Sequence, residues 1–95
     1  MDYFKEYGLI DDDISDIEEF IDNDDINNYY VNELKVIEIL NYLKSIGINN
    51  IKDILKYKSN MFYESVETIK KNIPNDSIIV SLINEDVQNL DRIGY

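Results

Sequence analysis

Apolar residues recur along this chain at intervals of three and four, and the recurrence is broken at a few clearly marked places. Ile10, Ile14, Ile17 and Ile21 form one row, widened by Phe20, and predict an amphipathic helix over 11–21. Asp11, Asp12 and Asp13 stand at its start, where carboxylates favour the positive end of a helix. Ser15 and Glu18 have capping-box spacing, which would delay the regular helix by a turn. Asn23-Asp24-Asp25 interrupts the row. Two adjoining stripes then run together, Tyr30, Leu34, Ile37 beside Val36, Leu40, Leu43. So broad an apolar face predicts a long central helix over 28–46, packed on more than one side.

Beyond it, Asn49 or Asn50 is placed to cap a short helix using Ile51, Ile54 and Leu55. Ser59 or Asn60 opens another, with Phe62, Val66, Ile69 and Ile73 on one face, stopped by Pro74. Asn75 or Asp76 caps a last helix carrying Ile79, Ile83, Val87 and Leu90. No segment alternates with period two for long enough to predict a strand. The expected fold is all-α, a small bundle of five to six helices with one long central helix, in a single domain over 1–95.

The three glycines share one setting. Gly8, Gly47 and Gly94 each have an apolar residue four before (Phe4, Leu43, Leu90), another just before (Tyr7, Ile46, Ile93) and one just after (Leu9, Ile48, Tyr95). That outline predicts a helix closed by a left-handed glycine, the next apolar residue folding back on the last turn. The unequal spacing of the glycines argues against a regular solenoid.

Composition narrows the chemistry. Apolar residues make up 44% of 95 residues, enough for a modest globular core and too many for a disordered tail. The longest aliphatic run, Ile78-Ile79-Val80, falls far short of a membrane span, and Asp2 and Glu6 stand where a secretion signal would be basic and then apolar. The expected location is cytoplasmic. Cys, His, Trp and Ala are absent. No thiolate, disulfide or imidazole is therefore on offer for catalysis or metal binding. Missing Ala, abundant Ile and Asn, and one Arg against eight Lys suggest AT-rich coding, as in a low-GC bacterium, phage or plasmid.

The net charge of −11 is uneven. Residues 1–33 hold twelve acids and only Lys5, residues 34–73 are net basic, and residues 74–95 are mildly acidic. The acidity belongs to the N-terminal third.

Candidate motifs are weak by comparison. A calcium loop begun at Asp11 puts Asp16 where a sharp turn needs glycine and Asp22 where glutamate belongs; one begun at Asp22 meets Ile26 at its fifth position. No glycines cluster to cradle a phosphate, and the serines have no histidine partner. Twenty acids guarantee chance carboxylate pairs. No enzyme activity, cofactor or metal is expected. The eight tyrosines read as packing first and as a recognition surface second. Lys44, Lys52, Lys56, Lys58, Lys70 and Lys71 form a basic middle, which could hold a phosphate backbone or complement the acidic N-terminal helix from within. The internal role is the stronger reading, because the whole-chain field repels nucleic acid.

Residues 36–73 carry a partial resemblance. The helix ending Leu43-Lys44-Ser45-Ile46-Gly47-Ile48, the short segment around Ile51, Ile54 and Leu55, and Ser65-Val66-Glu67 resemble the helical repeat of the mitochondrial transcription termination factor family. Lys58-Ser59-Asn60 stands where that family often has a proline. The stretch from Leu43 to Leu55 is also similar to helix-hairpin-helix modules, although a second glycine hairpin is missing. Either resemblance implies nucleic-acid binding.

The leading expectation is a non-catalytic protein-binding module whose acidic N-terminal third docks on a basic, nucleic-acid-binding surface of a partner. The residues singled out are Asp11, Asp12, Asp13, Asp16, Glu18, Glu19, Asp22, Asp24 and Asp25, set along an exposed face as a rough mimic of nucleic-acid phosphates. Small acidic proteins of AT-rich mobile genomes often serve as inhibitors or immunity proteins. The alternatives are a nucleic-acid-binding repeat using the lysines of 44–71, chiefly Lys44, Lys52, Lys56 and Lys58, and a structural or oligomerisation subunit. Nucleic acid and membrane are not expected as direct partners under the leading reading.

Overall fold

A computed structural model describes all residues, Met1–Tyr95, and every regular element in it is helical. Six α-helices follow one another: α1 (Asp11–Phe20), α2 (Asn23–Val31), α3 (Glu33–Ser45), α4 (Ile51–Tyr57), α5 (Val66–Asn72) and α6 (Ser77–Glu85). Three 3-10 segments, Asp2–Tyr7, Ser59–Tyr63 and Val87–Ile93, fill the gaps. No helix is long and apolar enough to cross a membrane.

The expected long helix over 28–46 is two helices. The chain breaks at Asn32, whose backbone leaves helical geometry at φ −105°, ψ 37°. Asparagine side chains explain the break. Asn28 is buried and donates from Nδ2 to the Phe62 carbonyl at 3.1 Å, while its Oδ1 accepts from Asn32 Nδ2 at 2.8 Å. Such local bonding competes with the helical ladder. The second correction concerns the two stripes. Val36, Leu40 and Leu43 are fully buried, but Tyr30 and Leu34 face solvent and Ile37 is only half-buried. α3 is the longest helix, packed against α2, α5 and the segment Ser59–Tyr63.

The remaining boundaries differ in smaller ways. α1 begins at Asp11, because the Asp13 carboxylate reaches back to the Ile10 N–H at 3.0 Å; Ser15 caps nothing. The helix expected from Ser59 is interrupted at Glu64, where the backbone is extended, and Ser65 starts α5 afresh by accepting from Thr68 N–H. Asp76 caps α6, as its position suggests, by accepting from Ile78 and Ile79 N–H. Asp86 then ends α6 and caps the 3-10 segment that carries Val87 and Leu90 into the core.

The glycine stops are present. Gly8, Gly47 and Gly94 all have φ between +87° and +100°. After α3 the Ile48 N–H bonds the Leu43 carbonyl, and at the other end Tyr95 N–H bonds that of Leu90, closing both ends as the spacing requires. One core of 23 buried apolar residues results. A row of edge-to-face aromatic contacts runs through it, Tyr3 to Phe4 to Tyr29 to Phe62, with centroids 4.7, 5.3 and 5.6 Å apart.

Candidate functional site

The acidic residues singled out above lie on α1, on the first turn of α2 and on the turn between them, and their environments divide them into two groups. One group is occupied within the chain. α1 packs against α4, which brings Lys52 and Lys56 beneath its acids. Lys52 Nζ lies 3.2 Å from Asp13 and 3.1 Å from Asp16, and Lys56 Nζ lies 3.1 Å from the same Asp16 oxygen. The lysine bonds hold the Asp16 carboxyl below its ordinary pKa, and the Ile10 N–H followed by Lys52 does the same for Asp13. Asp11 meets Lys5 at 2.9 Å. Asp22 caps α2 by accepting from Asp25 N–H at 2.9 Å. Asp25 accepts from Ser59 Oγ and Tyr63 OH, both at 2.6 Å, and that last hydrogen bond, followed by burial, raises the Tyr63 phenol to about 12.

The other group has no partner of any kind. Asp12, Glu18, Glu19 and Asp24 are exposed, without a salt bridge or side-chain hydrogen bond. Asp12 and Glu19, seven residues apart on one face of α1, line a shallow depression of about 380 Å³ with Asp13, Ser15, Asp16 and Lys52. Asp11 and Glu18 repeat the same spacing on the adjoining row.

Phe20 was expected in the core beside the isoleucine row. It stands 56% exposed at the end of α1, edge-to-face with Tyr57 of α4, which is itself 42% exposed; the centroids are 5.1 Å apart. Lys56 Nζ lies 5.1 Å from the Phe20 ring centre and 5.2 Å from that of Tyr57. A solvent-facing aromatic pair thus borders the acidic face. Sequence reasoning missed Tyr57 altogether, since Ile51, Ile54 and Leu55 already completed the buried side of α4.

Of the six lysines of the basic middle, three are engaged in ion pairs and three, Lys44, Lys70 and Lys71, are exposed without one. Lys52 and Lys56 are paired as above, and Lys58 is buried, bonded to Asp91 and, at 3.0 Å, to the Tyr95 carbonyl. Lys44 lies over the Tyr7 ring and Lys70 over the Tyr42 ring. No three carboxylates converge as ligands for a metal ion. Comparison with protein-family models, with curated proteins and with solved structures gives no match.

Proposed function

We propose that the chain is a non-catalytic, cytoplasmic protein-binding module that docks the outer face of α1 on a basic surface of a partner, in the manner of an inhibitor or immunity protein that occupies a nucleic-acid-binding site. The observation that carries this reading is the division among the acids. The lysines of α4 pair with Asp13 and Asp16, which ties α1 to α4, while Asp12 and Glu19 on the same row as Asp16, Glu18 on the adjoining row and Asp24 at the start of α2 take part in no ion pair. A rigid helix bearing unpaired carboxylates gives fast, steered association with a cationic surface. The Phe20–Tyr57 pair supplies what charge lacks, a desolvatable aromatic anchor beside the acidic face.

The geometry also changes which substitutions test the idea. Neutralising Asp13 or Asp16 would disturb the attachment of α1, so the informative variant is Asp12→Asn, Glu18→Gln, Glu19→Gln and Asp24→Asn together. Tagged wild-type protein, incubated with lysate of its source cells at low salt, should retain a basic protein that high salt releases. The fourfold variant should fold normally and lose that protein. Retention by the variant at wild-type level, or recovery of nucleic acid in place of protein, would overturn the proposal.

A further inference from the structure

The most exposed apolar residue of the chain, Leu34, lies elsewhere, beside other exposed apolar residues at the junction of α2 and α3. Tyr30 is 55% exposed, Val31 69% and Leu34 78%, all within one turn of the Asn32 break, and half-buried Ile37 continues the row along α3. A single exposed leucine needs no explanation; several neighbouring apolar residues across the α2–α3 junction do. Burying Val36, Ile39, Leu40 and Leu43 already commits the inner face of α3, so the outer row contributes nothing to the core.

The surroundings indicate what could cover it. Glu33 and Glu38 flank Leu34 and Ile37, are exposed, and take part in no salt bridge. The one cation in this stretch, Lys35, is turned away, its ammonium donating to the Tyr63 carbonyl at 2.5 Å. The row is therefore apolar in the middle and bordered by Glu33 and by Glu38, which shares a shallow depression with Lys70. A second copy of this chain is a poor occupant, because it would bring Glu33 and Glu38 against their own kind while joining two molecules of net charge −11. An anionic bilayer is repelled for the same reason.

We infer that Tyr30, Val31, Leu34 and Ile37 form a second docking surface, whose occupant is a basic amphipathic helix of a partner protein. Leucine-like side chains of that helix, at three- and four-residue spacing, pack along the row, and lysines or arginines flanking them meet Glu33 and Glu38. This surface is separate from the outer face of α1, and either can fail without the other.

The test uses a short Lys/Leu peptide with leucines at i, i+3/i+4 and i+7 and a single Trp, beside a peptide of the same composition with the order permuted. The chain has no Trp, so the peptide's fluorescence reports binding directly. The patterned peptide should bind with a blue shift, and the permuted one much more weakly. Leu34→Gln with Val31→Thr should weaken binding of the patterned peptide by about tenfold, while the fourfold α1 variant should keep the preference for the patterned peptide. Both substituted side chains are exposed, so folding is retained. Equal binding of the two peptides, or indifference to Leu34→Gln with Val31→Thr, would overturn the inference. So would concentration-dependent self-association that the same double substitution abolishes.

Discussion

Two buried polar residues do more to set the shape of this chain than their numbers suggest. Tyr29 is fully buried between Phe4 and Phe62, and its hydroxyl donates to the Leu55 carbonyl at 2.7 Å, tying α2 to α4. Burial, above all, pushes its phenol well above the ordinary tyrosine pKa. Tyr29→Phe keeps the ring and removes the bond, and should cost about 1–2 kcal/mol in urea denaturation with the slope unchanged. An unaltered midpoint would mean that the hydroxyl contributes nothing net. Asn28, the neighbour, is of the same kind: its amide is satisfied on both sides, by the Phe62 carbonyl and by Asn32. These two account for much of what the sequence pattern conceals. The tyrosines were legible as packing residues only as a class: the apolar stripe pointed to Tyr30, which faces solvent, and it is Tyr29 that is buried. Asn28 was not legible, since a buried asparagine is betrayed only by partners that are distant in sequence, here Phe62.

At the scale of the element, the parts that depend on local chemistry could be read from the chain and the parts that depend on distant partners could not. The glycine-closed ends of α3 and of the last 3-10 segment follow from nearest neighbours alone, as does the Asp76 cap. Gly47 offers a clean check. Its φ is +96°, and a β-carbon there would meet Val80 only at an ordinary contact of 3.7 Å. Gly47→Ala should therefore lose about 1–2 kcal/mol from backbone strain alone, with no repacking of Val80. Thermal denaturation measures the loss, and an unchanged melting temperature would contradict the left-handed stop. The break at Asn32 and the exposure of Tyr30 and Leu34 were illegible for a different reason. Continuous apolar spacing says that a face exists, and only tertiary packing decides whether anything in the same chain covers it. The acids of α1 followed the same rule: their position was readable, but which of them would face lysine depended on the docking of α4.

For the whole molecule, charge makes stability depend on pH. Asp13 and Asp16 have lowered pKa values in the folded state, so their contribution is present above the ordinary carboxylate range, about 4, and is lost as pH falls through their folded values. Lys52 and Lys56 are raised, chiefly by hydrogen bonds to Asp16, so their contribution holds below about 10.4 and disappears as pH rises through their folded values. Tyr3 and Tyr29, raised mainly by burial, act in the same direction above pH about 10. Stability should thus fall at both extremes, and tyrosine ionisation followed by ultraviolet absorbance should coincide with alkaline unfolding for these two. Asp16→Asn should flatten the acid limb; an identical acid profile would show that the α1–α4 ion pairs add nothing to stability.

The central claim is that the outer acids of α1, and not the lysines of the middle segment, form the recognition surface. The most direct measurement is a pair of low-salt titrations followed by amide chemical shifts, one with short poly-lysine and one with a short DNA duplex. Poly-lysine should shift the amides of Asp12, Ser15, Glu18, Glu19 and Phe20 saturably, in a manner reversed by salt, and the duplex should shift none. Shifts at Lys44, Lys52, Lys56 and Lys70 on adding DNA, or poly-lysine shifts spread evenly over Asp76, Glu85 and Asp86, would contradict it.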